Sequence, residues 1–368
     1  MNRPHMKLYL ALSIALISIT LQSVFAQNLK PGFDKHEYAE ILRVIVGSSE
    51  SAQKALMVPK PKSSVLQYKS PDMGLDNEWE LWIKDKSTAI LCTRGSTAQT
   101  ESWLANIYAA MVPASGSLQI DSNFTFDYQL AIDSQATVHV GYLISTAFLS
   151  RDMLPKIDSC YKAGVRDFII AGHSQGGGIS YLLRAYFHRM QVNGILPKDI
   201  QFKTYCSAAP KPGNLYFAYE FEDITKGGWG LQVANKEDWV PQMPLTVQTL
   251  GDLPDKNPVP LLEKMISEEG LFKRMAMKSL FKKMKNPSEK TVNTYQKFLG
   301  KAVAKQIKKY LPNFVEPNYA SSNDYVRTGT PIVLMPDAAY YQKYKDGDKP
   351  DLMLHHSLPP YFDLAERY

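Results

Sequence analysis

The chain has 368 residues, of which 45% are hydrophobic and 21% are charged, and its formal net charge is +6. This balance is that of an ordinary globular protein, and the length allows a large core, as one enlarged domain or as two. The three cysteines, Cys92, Cys160 and Cys206, are too few for a disulfide scaffold. A single disulfide between two of them remains open.

The first 26 residues have the pattern of a secretory signal peptide. Arg3 and Lys7 precede an uncharged run over 8–21, and Val24-Phe25-Ala26 ends in a small residue. The apolar run is short for a membrane span of about 20 residues, so cleavage after Ala26 is favoured over an uncleaved anchor. We therefore predict export to the periplasm or the medium, with a mature chain of residues 27–368.

Strand-like and helix-like patterns alternate along the mature chain. Short apolar runs predict strands, and apolar residues at helical spacing predict helices. In chain order the predicted elements are a helix over 36–46, strands at 65–68, 79–83 and 88–93, a helix-like stretch over 103–111, a strand at 136–140, a helix over 143–163, a strand at 168–171, a helix over 180–190, and strands at 202–207, 230–233 and 330–335. This order predicts an α/β fold with a mostly parallel sheet and helices on both faces.

A basic helical insertion is predicted at about 254–318, before the last strand. Between Lys273 and Lys309 there are twelve Lys or Arg residues and one acid, Glu289, with apolar residues interleaved. Such a stretch is usually a solvated face above a core stripe. It also suits peripheral contact with an anionic membrane surface. Nucleic acid is not an expected partner, because an exported chain without a nucleic-acid motif gives no reason for one.

The segment Gly172-His173-Ser174-Gln175-Gly176 fits the G-x-S-x-G pattern and lies between a predicted strand and a predicted helix. Small residues at both glycines allow the sharp turn that exposes a nucleophilic serine above the sheet edge. The N–H groups of the following helix N-terminus then face an oxyanion formed there. Ser174 is therefore the candidate nucleophile, and the alternative is a glycine-rich turn with a chance serine.

A serine of this kind needs a base and an orienting acid, which follow the nucleophile in the chain order of this fold. Asp238 comes directly after the strand at 230–233, and Glu237 and Asp223 are the alternative acids. His355 and His356 are the only histidines after Asp238. The earlier His139 and His173 are predicted to be structural.

Seven segments, taken in chain order, resemble the class 3 lipase family, which is typified by fungal triacylglycerol lipases. The match covers most of the mature chain, with Gln175 standing where the fungal enzymes usually have leucine. The basic insertion departs from the compact fungal pattern, as does Thr93, which replaces the usual phenylalanine. The segments are Leu91-Cys-Thr-Arg-Gly-Ser96, Ser102-Trp-Leu-Ala-Asn106, Val138-His-Val-Gly-Tyr142, Gly172-His-Ser-Gln-Gly-Gly177, Cys206-Ser-Ala-Ala-Pro-Lys-Pro-Gly-Asn214, Asp238-Trp-Val-Pro241 and His356-Ser-Leu-Pro-Pro-Tyr361.

The resemblance implies an α/β-hydrolase fold and a role for each matched residue. It implies Ser174 as nucleophile, His356 as general base and acid, and Asp238 as the group that orients the imidazole. It implies an oxyanion hole from the backbone N–H groups of Ser96 and Gln175, with the Ser96 hydroxyl as a further donor, and neither metal nor cofactor.

The expected function is hydrolysis of a lipid ester, an acylglycerol or a phospholipid, through an acyl-serine intermediate. The alternatives are a soluble carboxylesterase of small esters and a catalytically silent binding protein on the same scaffold. Residues 97–117 are expected to form either a lid over the site or part of the core.

Overall fold

The computed structural model describes residues 29–47, 53, 55–254, 256–345, 347 and 350–368. The predicted signal peptide, residues 1–26, lies outside the described residues. No helix within these described ranges is long and apolar enough to cross a membrane.

Eleven strands and ten α-helices are numbered here in chain order over the described residues. The strands are β1 (Ser64–Lys69), β2 (Trp79–Lys84), β3 (Thr88–Thr93), β4 (Met111–Pro113), β5 (Ser115–Asp121), β6 (Phe124–Gln129), β7 (Thr137–His139), β8 (Asp167–His173), β9 (Gln201–Ser207), β10 (Gly230–Asn235) and β11 (Thr330–Leu334). The helices are α1 (Lys35–Ile45), α2 (Thr100–Ile107), α3 (Val140–Lys162), α4 (Gln175–Val192), α5 (Leu215–Ile224), α6 (Val259–Glu268), α7 (Leu271–Tyr295), α8 (Ala302–Ile307), α9 (Ala338–Lys343) and α10 (Leu358–Arg367), with a π turn (Gln296–Lys301) between α7 and α8.

The central sheet has seven strands in the order β1-β2-β3-β8-β9-β10-β11. The five strands from β3 to β11 run parallel, whereas β1 and β2 are antiparallel at one edge. Parallel strands end at the same edge of a sheet, so the residues that follow β3, β8 and β10 come together there. The predicted α/β-hydrolase type of fold, with its mostly parallel sheet, is confirmed.

Strand β8 shows how the two faces of the sheet are covered. Its side chains alternate, so that Phe168 and Ile170 join a cluster with α3 and α4. Ile169 and Ala171 face the other way and join a cluster that contains Tyr38 of α1 and Tyr361 of α10. Helices therefore lie on both faces, as predicted, and the strand that precedes Ser174 is buried throughout.

The stretch around 97–117 differs from its prediction. Only Thr100–Ile107 is helical, and Met111 lies in β4, which pairs with β7. Backbone bonds to distant segments decide this, because Ala110 donates its N–H to Leu299 O and accepts from Val140 N. The β5–β6 hairpin that follows was not predicted.

The segment between β10 and β11 contains α6, α7, the π turn and α8. Over α6 and most of α7 the side chains are exposed, whereas α8 is buried in the core at Val303, Ala304 and Ile307. The three cysteines are unpaired and buried, so the disulfide left open by the sequence is not formed.

Candidate active site

Ser174 lies at a sharp turn between β8, which ends at His173, and α4, which begins at Gln175. Its backbone has φ 59° and ψ −128°, a strained conformation for a residue with a side chain, at a cost of about 1–3 kcal/mol. The glycines on either side leave no room for a side chain. A Cβ on Gly172 would lie 2.3 Å from the carbonyl carbon of Gly176, and one on Gly176 would lie 2.3 Å from the Thr93 oxygen. The close packing of β3, β8 and α4 therefore depends on both glycines.

A chain of hydrogen bonds runs from Ser174 through His356 to Asp238. The Ser174 Oγ is 2.8 Å from His356 Nε2, and His356 Nδ1 is 2.8 Å from Asp238 Oδ2. Because a carboxylate only accepts, Nδ1 carries the proton, and the free Nε2 accepts from the serine hydroxyl. The imidazole is therefore held in the tautomer that a general base requires.

Asp238 is held by three hydrogen bonds in a buried position. Its Oδ1 accepts from Val240 N at 2.9 Å, and its Oδ2 accepts from the Tyr361 hydroxyl at 2.7 Å in addition to His356. Such bonds compensate a buried carboxylate for lost hydration. The Tyr361 hydroxyl reaches Asp238 from α10, five residues after His356, and burial raises the pKa of Tyr361 well above its ordinary value.

The alternative acids and base have other partners. His355 Nδ1 is 2.8 Å from the Tyr340 hydroxyl. Glu237 accepts a hydrogen bond from the Tyr341 hydroxyl, and Asp223, on α5, forms an ion pair with Lys226. Among the candidates named from the sequence, only Asp238 and His356 are joined to Ser174 by hydrogen bonds.

The two predicted oxyanion donors come from the ends of neighbouring strands. Gln175 is the first residue of α4, so its N–H is one of the helix N-terminal groups without an intrahelical partner. Ser96 follows β3, and a Cβ on the preceding Gly95 would lie 3.0 Å from His173 O and 3.7 Å from Ser174 Cβ. The absence of a side chain at Gly95 thus lets the Ser96 loop approach the nucleophile.

Side-chain hydrogen bonds that were not predicted from the sequence hold this loop. Asn106 of α2 donates to Ser96 Oγ at 2.7 Å and accepts from the Tyr142 hydroxyl at 3.2 Å. The Gln175 side chain donates to Ser102 O at 2.9 Å and accepts from Ser102 Oγ at 3.3 Å. Asn106 lies in one of the matched segments, but nothing in its spacing indicates that it contacts Ser96.

His139, Arg94 and the cavity

His139 is fully buried, donates from Nε2 to Asn106 O at 3.2 Å and accepts from Tyr142 N at the start of α3. Burial lowers the pKa of His139 to about 3, so it is neutral at ordinary pH. Arg94 forms ion pairs with three acids that precede β2, namely Asp72, Asp76 and Glu78. His139 therefore has the structural surroundings predicted for it, and Arg94 is held by ion pairs.

Ser174 and His356 open into a cavity of about 710 Å³. Its wall is mostly apolar and is contributed by α2, by the loop after β10, by the insertion and by the start of α10. The larger apolar side chains of the wall are Ile45, Leu56, Trp103, Ile107, Tyr142, Trp239, Val240, Met243, Leu245, Tyr295, Leu299, Met353 and Leu358. A second cleft of about 670 Å³ beside α1 is lined by charged side chains and contains none of the predicted site residues.

Residues 90–248 match the family model for lipase (class 3). This range includes Ser96, Ser174, Gln175 and Asp238 but ends before His356. No match is found among the curated proteins.

Solved structures of fungal lipases are similar to part of this chain. Lipase II from Rhizopus niveus is 22% identical with a TM-score of 0.40, and the alignment covers 57% of this chain and 74% of that chain. Lip2 lipase from Yarrowia lipolytica is 18% identical with a TM-score of 0.42, covering 59% and 77%. A fungal lipase in an inhibitor complex is 18% identical with a TM-score of 0.43, covering 57% and 74%. The match over residues 90–248 confirms the resemblance to class 3 lipases that the sequence predicted, and it supports a carboxylic ester hydrolase.

Proposed function

We propose that the protein hydrolyses lipid esters, acylglycerols or phospholipids, through an acyl-serine intermediate. The observation that carries this proposal is the hydrogen-bonded chain from Asp238 through His356 to Ser174, with the serine open to an apolar cavity. The family match supports lipid esters as the class of substrate.

In this mechanism, Ser174 Oγ attacks the ester carbonyl carbon while His356 Nε2 takes its proton. The negative carbonyl oxygen accepts from the N–H groups of Ser96 and Gln175, which contribute about 3 kcal/mol of transition-state stabilisation for each donor. Asp238 stabilises the imidazolium that forms. His356 then donates the proton to the leaving alcohol, and water, deprotonated by His356, releases the acid and restores Ser174.

The apolar wall favours long acyl chains, since each buried methylene contributes about 0.8 kcal/mol. A soluble carboxylesterase of small esters is the alternative, and a catalytically silent binding protein is the alternative outside enzymes. The complete set of serine, imidazole and carboxylate argues against the silent protein, since binding alone requires none of the three in this geometry.

The test uses purified residues 27–368 and the Ser174→Ala variant on nitrophenyl esters of increasing acyl length, then on emulsified triglyceride and phospholipid. We expect activity that rises with chain length and is lost in the variant. Activity confined to the shortest esters would make the protein an esterase. Equal inactivity of both proteins on every substrate, with detergent present, would favour the binding protein.

We also propose that the insertion contacts anionic lipid surfaces. Exposed cations and exposed apolar side chains lie together on α7, where the Phe272 side chain is 87% exposed. A lysine near an anionic surface contributes about 1 kcal/mol of binding free energy. Reversing the exposed Lys282 and Lys283 to glutamate should therefore weaken binding to anionic phospholipid vesicles at least about tenfold at low salt.

The matched control for this vesicle experiment reverses two exposed lysines outside the insertion, Lys198 and Lys226, to glutamate. Both double variants have the same net charge, so an equal effect would show that net charge rather than the insertion controls binding. Binding that is unchanged in both, or that does not weaken with salt, would contradict the proposal.

Export is proposed on the sequence pattern of residues 1–26. Expression of the full chain in a bacterial host should give a secreted or periplasmic protein whose mass corresponds to a start at Gln27. A full-length protein that stays in the membrane fraction would instead indicate an uncleaved anchor.

A further inference from the structure

The helical insertion has two parts that differ in burial. The first part, α6 and α7 up to residue 291, is mostly exposed, and we call it the arm. The second part, residues 292–307, is called the base. It begins at the buried Val292 and ends in the buried Val303, Ala304 and Ile307. The base is therefore packed into the protein body, whereas the arm extends from it.

Three residues of the π turn, Gln296, Leu299 and Gly300, make contacts that fix it within the base. Leu299 O accepts from Ala110 N at 3.3 Å, and the Gln296 side chain donates to Ala320 O at 2.7 Å. Gly300 packs so closely that a Cβ there would lie 2.9 Å from the Tyr319 ring and 3.1 Å from Ala110 Cβ. The position of the π turn is thus set by Ala110, in the segment that follows α2, and by Tyr319 and Ala320.

Tyr295 and Leu299 line the same cavity as Ser174 and His356. The intervening Phe298 does not line the cavity, and its side chain is 57% exposed. A π turn is rare, and when it interrupts α-helices it frequently lies at a functional site. Here Tyr295, at the end of α7, and Leu299, within the turn, line the cavity while Phe298 faces solvent.

The segment bonded to the π turn also contributes to the wall. Ile107 and Ala109, just before Ala110, line the cavity beside α2. Leu299 and these two residues belong to parts of the chain that are nearly 200 positions apart in sequence yet are joined by the Ala110–Leu299 hydrogen bond. The base is therefore a wall of the substrate cavity and not only an attachment for the arm.

We propose that Leu299, with Tyr295, determines the acyl-chain length that the enzyme accepts. The inference rests on the proposed hydrolysis of lipid esters. An acyl chain bound at Ser174 needs apolar wall along its length, and a fixed side chain in that wall limits how many methylenes fit. A smaller side chain at 299 extends the cavity, and a larger one shortens it.

The experiment measures kcat/KM on soluble nitrophenyl esters from acetate to laurate, below their solubility limits, for Leu299→Ala and Leu299→Trp. One methylene in an apolar pocket changes kcat/KM by about tenfold or more. We expect the laurate-to-acetate ratio to change by at least about tenfold, upwards for Leu299→Ala and downwards for Leu299→Trp. Phe298→Ala, in the same turn with its side chain in solvent, should keep the wild-type ratio.

A ratio that stays at the wild-type value in both Leu299 variants overturns the inference, as does an equal loss on every ester with a lowered Tm. Leu56→Ala tests whether another part of the wall controls acyl length instead. A changed laurate-to-acetate ratio in Leu56→Ala, with an unchanged ratio in both Leu299 variants, also overturns the inference. Failure of the proposed hydrolysis has a different signature: the wild type would then be inactive on every ester, or its activity would survive in Ser174→Ala.

Discussion

The imidazole Nε2 of His173 lies 2.7 Å from the backbone carbonyl oxygen of His356. A carbonyl only accepts, so Nε2 carries the proton, and Nδ1 accepts from Ser207 Oγ at 3.0 Å. Ser207 in turn accepts from the Tyr38 hydroxyl at 2.6 Å. The residue before the proposed nucleophile therefore holds the backbone of the proposed base, through a buried chain that begins on α1.

Replacing His173 by leucine should lower kcat about tenfold or more and destabilise the protein by about 1–3 kcal/mol, because two buried polar groups lose their partner. His173→Gln places an amide donor near the position of Nε2 and should restore part of kcat. The measurements are kcat on a nitrophenyl ester and urea unfolding. If both variants lose stability equally but keep wild-type kcat, His173 does not position His356.

Acid should destabilise the protein through its buried histidines. Burial lowers the pKa of both His139 and His173 to about 3, whereas an unfolded histidine titrates near about 6.5. Below about pH 6.5 the unfolded chain binds protons that the folded protein does not, so stability is lost as pH falls toward about 3. The two histidines together should contribute a slope of about 2.7 kcal/mol per pH unit.

Urea unfolding from about pH 8 down to about pH 4.5 measures this slope. The His173→Gln variant removes one titrating group and should unfold with a slope smaller by about 1.4 kcal/mol per pH unit. Titrating groups common to both proteins cancel in the difference. Identical slopes would mean that His173 has an ordinary pKa in the folded protein.

Asp238 and Tyr361 should affect catalysis to different degrees. Asp238→Asn keeps the shape but loses the charge and the tautomer control, so kcat should fall by about 10⁴. Tyr361→Phe removes one of two hydrogen bonds to Oδ2, and a bond to a charged group contributes about 1.5–3 kcal/mol. We expect Tyr361→Phe to retain at least about a tenth of wild-type kcat while its unfolding free energy falls by that amount. Wild-type stability in Tyr361→Phe would contradict the role of its hydroxyl.

The seven strands of the central sheet and the sharp turn at Ser174 could be predicted from the sequence, because each depends on a local pattern of residues. The strand residues 168–171 are apolar and end in glycines, and those glycines are the ones whose added Cβ atoms would clash in the structure. The pairing of Asp238 with His356 was accessible because few histidines follow Asp238. For the strands and the turn, a short stretch contains the whole signal.

The contacts that the sequence analysis missed join residues far apart in the chain. His173 bonds to Ser207 and to His356 O, and the π turn bonds to Ala110. Periodicity reports which side of a helix or strand is buried, but not which distant backbone it meets. The helix predicted to reach Met111 failed for this reason, since strand pairing with β7 outweighs the local helical pattern.

Residues 97–117 were expected from the sequence to form either a lid over the site or part of the core. We predict that α2, which lies in this stretch, stays in place during catalysis. A Cβ on Gly141 would lie 2.0 Å from Ala105 O, so α2 packs directly on α3. The Gln175 side chain bonds Ser102 through two atoms, and Ser102 is fully buried. Meanwhile Trp103 of α2 is 45% exposed and lines a cavity that already reaches Ser174.

A fixed α2 predicts that the rate on a short ester rises smoothly with concentration through the solubility limit, without a jump when droplets form. Gln175→Leu keeps the backbone N–H of the proposed oxyanion hole but removes the side-chain bonds to Ser102, and also the bond at 3.5 Å that Gln175 Oε1 accepts from Ser96 Oγ. We expect it to lose about tenfold in kcat on dissolved ester, since misplacement of a positioned group is costly. Detergent should restore little of that loss. A sharp rise in wild-type rate at the solubility limit would instead show that α2, or another segment, opens at the interface.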